Sequence, residues 1–254
     1  MGLKFFSVKN KTDTSADVYF YGDIVSDSWA KWSREDTCPQ DIIDLLKECE
    51  GVSELNIFIN SGGGNVWAGI AIYNILKRFS AHKTVHVDGL AASIASVIAL
   101  AGDEVIIPAN AFMMIHKAWT IASGNADELR ALAEQLDTIE QSIVNVYVEN
   151  AAEGVTEERI KELMQAETWL DAKAAAELFK NITVAEEIEA VNCISDFTFG
   201  KLPTGVIVKN RAKVEPHQSN PPTPEPKAEG EITEKAKKTL ESLKNFVFVE
   251  EETV

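Results

Sequence analysis

The chain has 254 residues, of which 45% are hydrophobic, and carries 24 Lys and Arg against 40 Asp and Glu, a formal net charge of -16. This apolar content is enough for a packed core and excludes wholesale disorder. The acidic balance argues against a nucleic-acid binder, because phosphate contacts need a basic surface. Three cysteines without CxxC spacing favour a reduced, intracellular protein that has neither a disulfide framework nor a zinc site.

The N-terminal residues lack the apolar segment and the small-residue cleavage site of a signal peptide. The most apolar stretch, Ile94 to Leu100, is too short to span a bilayer. We therefore expect a cytoplasmic protein that does not interact with membranes.

Residues 1–200 alternate strand and helix signals, which predicts βα repeats around a largely parallel sheet. The segment SELNIFIN is apolar at every second position, and a glycine turn and a helix follow it. TVHVDG is predicted as a short strand before a helix of small residues, AASIASVIALAG. EVIIP and AFMMIH are predicted as two further strands.

The clearest helix is predicted over residues 126–150. Asn125 with Glu128 three residues later has the spacing of a capping box. Apolar residues then recur at intervals of three and four, as in a heptad seam: Leu129, Leu132, Leu136, Ile139, Ile143 and Val146. About 25 residues at 1.5 Å each extend roughly 37 Å. Such a helix either covers the core along its length or projects and pairs with another subunit.

The composition changes near residue 210. The segment VEPHQSNPPTPEPKAEG holds five of the eight prolines and almost no apolar side chains, which is typical of an extended or disordered linker. An acidic segment with one possible short helix follows it. The sequence thus predicts a folded domain over residues 1–200, a linker over 201–230 and a C-terminal tail over 231–254.

Three short stretches fall at predicted strand ends, where sites usually collect in open α/β sheets. The first is INSGGG, residues 59–64. Consecutive glycines let the backbone approach a ligand and direct its N–H groups at an anion, although a tight βα turn needs them equally. The absence of a following Gly-Lys-Ser/Thr excludes a phosphate-binding loop.

The second stretch, DGLAASIAS, places Ser93 in the first turn of a predicted helix. Unpaired N–H groups and the helix dipole favour negative charge there. A serine in that position can attack a carbonyl while the neighbouring N–H stabilises the oxyanion. Alternatively, the small residues only allow close helix packing. Ser96 lies three residues on, and the pattern alone does not choose between the two hydroxyls.

The third stretch, MMIH, ends in His116 directly after an apolar run. A base for a serine must be a neutral imidazole that reaches its hydroxyl. Of the four histidines, His82 and His86 lie before or within the TVHV strand and His217 lies in the linker. Only His116 lies at the end of a predicted strand and directly follows an apolar segment, although a lone histidine also fits a structural role.

In chain order, INSGGG, DGLAASIAS and MMIH resemble the INSPGG, G-x-AAS and MIH patterns of the ClpP-like serine peptidases, the family of the Clp protease proteolytic subunit. Surrounding segments, among them VYFYGDIVSD, GNVWAGIAIYNILKR, GNADELR and AETWL, look like the head maturation (prohead) proteases of phages and prophages. The resemblance covers about residues 17–190.

The resemblance implies a ClpP/crotonase-like α/β fold with a long projecting helix. It makes Ser93 the nucleophile in preference to Ser96, and His116 the general base. The backbone N–H groups of Gly63 and Ile94 would be the oxyanion donors. It also implies stacked or ringed homo-oligomers held together by the long helix.

The implied function is that of an ATP-independent serine endopeptidase that cleaves capsid or scaffold proteins during procapsid maturation. Its place would be the bacterial or host cytoplasm, or the interior of the procapsid. No cofactor or metal is expected. No segment indicates an ATP-binding site, so any unfoldase would be a separate protein.

The chain departs from the family pattern at two places. Gly62 stands where the family has proline, which should leave the oxyanion loop more flexible. The third triad member is expected as an Asp after the helix that follows AETWL, but it is not clear here. Register without gaps places Asn181 or Ile182 there, a shifted gap brings in Glu186, and Phe179 replaces a usual glycine.

Because an orienting residue is uncertain, the alternative function is a catalytically weak ClpP-like assembly or scaffold protein. An acyl-CoA enzyme of the crotonase superfamily fits poorly. A serine nucleophile with a histidine base is not that chemistry, and the phosphates of coenzyme A would need basic residues.

Overall fold

The computed structural model describes residues 8–187. The strands are β1 (Ser15–Tyr21), β2 (Glu54–Ser61), β3 (His82–Ala92), β4 (Glu104–Pro108), β5 (Phe112–Ile115), β6 (Thr168–Asp171) and β7 (Ile182–Ala185). After a short 3-10 turn, Ser28–Ala30, the helices are α1 (Pro39–Glu48), α2 (Val66–Arg78), α3 (Ile94–Ala99), α4 (Ala126–Glu149), α5 (Glu157–Gln165) and α6 (Ala172–Leu178). The predicted α/β architecture is confirmed.

The strands form one seven-stranded sheet in which β1, β2, β3, β4 and β7 lie side by side and parallel. The long strand β3 has two partners on its second edge. Its first half pairs with β4, and its last residues, Leu90–Ala92, pair in parallel with β5. Strand β6 is the antiparallel neighbour of β5. The pair β5–β6 therefore extends the sheet only at the carboxyl end of β3.

The core follows the predicted periodicities. Leu55, Ile57 and Ile59 of β2 are buried, as the alternation of SELNIFIN predicted. Val85 and Val87 of β3 are fully buried as well, whereas the side chain between them is only partly covered. Helix α2 packs against α1 and α3, and every residue of α3 is buried. This packing fixes α3, and with it the residue that precedes the helix.

Helix α4 is confirmed with its capping box. Asn125 accepts from backbone N–H groups of the first turn, and Glu128 accepts from the N–H of Asn125. The buried residues of this 24-residue helix all lie in its last two turns: Ile143, Val144, Val146 and Tyr147. Leu129, near the other end, is 43% exposed. The helix thus covers the core with its C-terminal half, where Ile139 is partly buried against it, whereas Leu132 and Leu136 are only partly covered and Leu129 is exposed.

Strand β3 is longer than the sequence predicted. Residues 88–92 continue the strand, and α3 begins only at Ile94, so Ser93 precedes the helix instead of lying in its first turn. The reason is pairing on both edges, since Ala91 has partners in β2 and in β5. This pairing overrides the helix propensity of the alanines. The predicted linker and tail, 201–230 and 231–254, lie outside the described residues.

Candidate active site

Ser93 and His116 lie at the ends of two paired strands. Ala92, the last residue of β3, pairs with Met114 of β5. The N–H of Ser93 then donates to the Met114 carbonyl at 2.9 Å. Two residues further along, the His116 Nε2 lies 2.7 Å from the Ser93 Oγ. The strand pairing therefore sets the register that brings hydroxyl and imidazole within hydrogen-bond distance.

The backbone of Ser93 makes a sharp turn between β3 and α3. Its φ of 54° and ψ of -128° lie in a region that residues with a side chain rarely occupy. A strained serine between a strand and a helix is the arrangement that exposes a nucleophilic hydroxyl in α/β hydrolases. The structure also separates the two serines. Ser96 is fully buried, and its hydroxyl donates to the Ser93 carbonyl instead of facing His116.

Gly63 lies directly against the Ser93 turn. Its φ is +97°, and a Cβ atom there would lie 2.7 Å from the Ala92 carbonyl oxygen and 2.8 Å from the Ser93 Cβ. Only glycine fits this close approach. Its carbonyl accepts from the N–H of Ile24 at 2.8 Å, and its own N–H donates to the Ser61 hydroxyl at 3.1 Å. The N–H of Gly63 is therefore already engaged in this conformation.

Ile94 is the first residue of α3, so its N–H has no acceptor within the helix. A Cβ on Gly63 would lie 3.2 Å from the Ile94 nitrogen. The two predicted oxyanion donors are thus close to each other and to Ser93.

The environment of His116 favours the neutral imidazole. Burial lowers the pKa of His116 below its ordinary value, and the negative charge of Glu167 raises it in part. An imidazole that is unprotonated near pH 7 has a free nitrogen to accept the proton of a hydroxyl. His116 therefore has the protonation state that a general base requires.

Glu167 is a charged residue near His116 that the sequence patterns did not single out. The antiparallel β5–β6 ladder ends with the pair Ile115–Thr168, so His116 directly follows β5 and Glu167 directly precedes β6 at the same end of the ladder. Glu167 occupies a tight turn between α5 and β6, with a φ of 51°. It belongs to the AETWL segment that carried part of the resemblance. The antiparallel pairing that brings it to the histidine is a long-range contact, which one sequence does not reveal.

The structure does not bring the two predicted third members to the imidazole. The side-chain amide of Asn181 donates to the Gly102 carbonyl at 3.0 Å, and its backbone carbonyl accepts from Val105 at the start of β4. At about 3.3 Å per residue along β3, the start of β4, where Asn181 is bonded, lies roughly 25–30 Å from Ser93. Glu186 follows the last residue of β7, which pairs with Pro108, and its side chain is exposed.

A small recess opens beside Ser93 and His116. Its wall is mostly apolar and is contributed by α2, α3, the segment after β5, and α4: Val66, Ile94, Val97, Ala118, Ile143 and Tyr147. Lys117 borders it but forms an ion pair with Glu140 at 3.1 Å. The recess is therefore a small, mostly apolar surface next to the serine hydroxyl.

Within residues 8–187, no group of three or more His, Cys, Asp or Glu side chains is arranged to hold a metal ion. In the same part of the chain, no helix combines the length and the apolar content needed to cross a membrane.

A family model for Clp protease matches residues 32–179, which is more than half of the chain. The chain belongs to the Clp protease family. This confirms the family that the three sequence stretches indicated. Ser93, His116 and Glu167 all lie within the matched range, as do Gly63 and Ile94.

Three relatives of the Clp protease family illustrate the degree of similarity. The chain is 37% identical over 125 residues to ATP-dependent Clp protease proteolytic subunit 1 of Chlamydia trachomatis, 47% of this chain and 63% of that protein. The identity is 31% over 106 residues with the ATP-dependent Clp protease proteolytic subunit of Deinococcus radiodurans, 41% of this chain and 52% of that protein. The corresponding subunit of Bacteroides fragilis is 25% identical over 163 residues. That match covers 63% of this chain and 74% of the Bacteroides protein. The match thus spans about half of the Deinococcus relative.

Proposed function

We propose that this member of the Clp protease family is a serine endopeptidase in which Ser93 is the nucleophile and His116 the general base. The observation that carries the proposal is the 2.7 Å contact between the His116 Nε2 and the Ser93 Oγ. The strained backbone of Ser93 and the lowered pKa of His116 support it. Each of these features serves nucleophilic attack, and none is needed for packing.

The reaction proceeds in two displacements. His116 accepts the Ser93 proton while the Oγ forms a bond to the carbonyl carbon of the substrate. The carbon–nitrogen bond of the peptide then breaks, and the imidazolium gives its proton to the departing amine. In the second displacement His116 takes a proton from water and the resulting hydroxide attacks the acyl carbon. The bond between that carbon and the Ser93 Oγ then breaks, and the proton returns to the Oγ.

The oxyanion of each tetrahedral intermediate would be stabilised by the N–H groups of Gly63 and Ile94. For Gly63 this requires its N–H to leave the Ser61 hydroxyl, with which it is bonded at 3.1 Å. The exchange of a neutral acceptor for a charged one is favourable, because hydrogen bonds to ionised groups are about twice as strong. Substrate binding would thus complete the oxyanion hole.

We assign the third role to Glu167 and no longer to Asn181 or Glu186. Glu167 directly precedes β6, beside the end of the β5–β6 ladder, and its carboxylate would accept from the imidazole Nδ1–H of His116. It would hold the tautomer with a free Nε2 and stabilise the imidazolium that forms during attack. The upward influence of Glu167 on the pKa of His116 fits this role.

The apolar recess beside Ser93 favours peptides with an apolar residue next to the scissile bond. The wider similarity to phage head maturation proteases supports capsid or scaffold proteins as the substrates. The relatives are named as ATP-dependent subunits. The chemistry of Ser93 and His116 consumes no nucleotide, so we propose that this chain cleaves short peptides without ATP.

The exposed seam of α4 supports assembly into a homo-oligomer. Leu129 is exposed, and Leu132 and Leu136 are only partly covered by the described residues. A stripe of leucines at heptad spacing pairs with a second helix more readily than with water. A ring of subunits is the assembly that this surface and the family favour.

One observation favours the second candidate, a catalytically weak assembly protein. The N–H of Gly63 is bonded to Ser61, so the oxyanion hole is incomplete in this conformation. If that bond persisted with substrate present, one of the two donors would be lost. Removing one such donor lowers kcat by about 10²- to 10³-fold.

The decisive experiment is labelling by a fluorophosphonate probe, which reacts with an activated serine. We expect the wild type and Ser80→Ala, which alters an exposed serine after α2, to be labelled alike. Ser93→Ala should not be labelled. Labelling of Ser93→Ala at the wild-type rate would rule out the nucleophile, and a labelled wild type without peptide turnover would favour the assembly protein.

A further inference from the structure

Two buried hydroxyl groups lie behind the reactive turn, and the two displacements use neither of them. Ser96 of α3 is 0% exposed and Tyr147 of α4 is 1% exposed. The Ser96 Oγ donates to the Ser93 carbonyl at 2.6 Å. The same Oγ lies 2.7 Å from the Tyr147 hydroxyl. A continuous chain of hydrogen bonds therefore runs from α4 to the backbone of the nucleophile.

The direction of the protons in this chain follows from valence. Ser96 has a single hydroxyl proton, which it gives to the Ser93 carbonyl, because a carbonyl can only accept. The bond between the two hydroxyls is therefore donated by Tyr147 and accepted by Ser96. Burial raises the pKa of Tyr147, so the phenol keeps the proton that it donates.

The Ser93 carbonyl shares a planar peptide unit with the N–H of Ile94, the proposed oxyanion donor. In a trans peptide the two groups point in opposite directions, so fixing the oxygen also fixes the N–H. Hydrogen bonds accepted by the oxygen also polarise the unit and strengthen the N–H as a donor. We propose that Ser96 and Tyr147 are positioning residues of the oxyanion hole, which act through the Ser93–Ile94 peptide.

Two further contacts hold this chain of hydrogen bonds in place. The backbone N–H of Ser96 also donates to the Ser93 carbonyl, at 3.0 Å, so the oxygen has two donors from one residue. The Tyr147 ring packs against Phe179 with centroids 5.6 Å apart, and Phe179 is fully buried. Phe179 stands where the family pattern has glycine, so this departure supplies the surface that holds Tyr147.

This inference rests on the proposed function of Ser93 and concerns the rate of its reaction. The test compares Ser96→Ala, Tyr147→Phe and the double variant with the wild-type full chain, using a fluorogenic peptide with an apolar residue before the scissile bond. Ser96→Thr retains a hydroxyl and serves as the rescue variant. Tyr73→Phe, which removes a buried tyrosine hydroxyl of α2 outside the recess, is the matched control.

We expect Ser96→Ala and Tyr147→Phe each to lower kcat about tenfold with KM unchanged, less than the loss of a whole oxyanion donor. Because the two hydroxyls act in series, the double variant should be no slower than Ser96→Ala. Ser96→Thr should recover most of the rate, and Tyr73→Phe should keep it. Unchanged kcat, additive losses in the double variant, or a change confined to KM would overturn the proposal.

A second measurement separates this proposal from the function on which it rests. In protein labelled with ¹⁵N, loss of the donor to the Ser93 carbonyl should move the Ile94 amide nitrogen upfield in Ser96→Ala, and to a smaller extent in Tyr147→Phe. This readout needs no turnover. An unmoved Ile94 resonance in both variants would refute the positioning role, whereas an inactive wild type with the expected shifts would refute only the proposed function.

Discussion

The carboxyl ends of β3 and β5 are assembled from residues far apart in the sequence, whereas α4 is assembled from neighbours. At the strand ends, Ser93 and His116 meet because Ala92 pairs with Met114. In α4, the cap and the helical spacing are both local. The first region is buried and strained, and the second is exposed over most of its length. The difference predicts that changes at the strand ends affect the chemistry, while changes along the exposed N-terminal part of α4 affect association.

The largest effect is expected from the imidazole itself. His116→Ala should lower kcat about 10⁴-fold, because the serine loses its base while the remaining contacts stay in place. His82→Ala, which alters an exposed histidine at the start of β3, is the matched control and should keep the wild-type rate. Peptide turnover measures both. A loss of less than tenfold in His116→Ala would show that proximity to Ser93 has no catalytic meaning.

The second effect concerns Glu167. Glu167→Gln should lower kcat about 10²- to 10⁴-fold, since the imidazole loses its orienting carboxylate. Glu167 raises the pKa of His116, so its removal should move the acid limb of the kcat/KM profile to lower pH.

Glu186→Gln is the matched control for Glu167→Gln, because it makes the same change at the end of β7. It should change neither the rate nor the pH profile. Equal losses in both variants would return the third role to the position that the sequence favoured.

The third effect concerns stability at the turn. Gly63→Ala should reduce the free energy of unfolding by about 2–4 kcal/mol, because the methyl group meets the Ala92 carbonyl and the Ser93 Cβ. Gly51→Ala has a similar φ, +89°, but nothing lies within 4 Å of its Cβ position, so about 1 kcal/mol is expected. Urea unfolding gives both values. Equal losses of unfolding free energy in the two variants would mean that glycine is required at position 63 only for its positive φ, and not because a methyl group lacks space there.

The smallest effect on folding is expected in α4. Leu132→Asp and Leu136→Asp should change the free energy of unfolding of the subunit by less than about 0.5 kcal/mol, because these positions lie outside its core. They should nevertheless dissociate the oligomer in sedimentation velocity. Glu134→Lys on the polar side of the same turn is the control and should leave assembly intact. A wild type that sediments as a monomer would contradict the role of the seam.

The sequence allowed the α/β class, most strands and α4 with its cap to be predicted, since each depends on local spacing. The same holds for the positions of Ser93 and His116, which the family patterns indicated. Two features were not accessible. The helix predicted through Ser93 became strand up to Ala92 because two neighbouring strands pair with that segment. The sequence placed the orienting residue after β6, at Asn181 or Glu186, whereas we propose Glu167, which precedes β6.

The 254 residues by themselves determined a largely acidic chain with one core-forming region, its βα order and the family to which it belongs. The periodicity of apolar residues carries the βα order, because burial of one face requires it, and the INSGGG, DGLAASIAS and MMIH stretches carry the resemblance to the family. Only the tertiary structure decided which groups meet. The β5–β6 ladder ends beside His116 and Glu167, and Tyr147 reaches the Ser93 peptide through Ser96. Such contacts depend on register between distant segments, and local spacing does not encode that register.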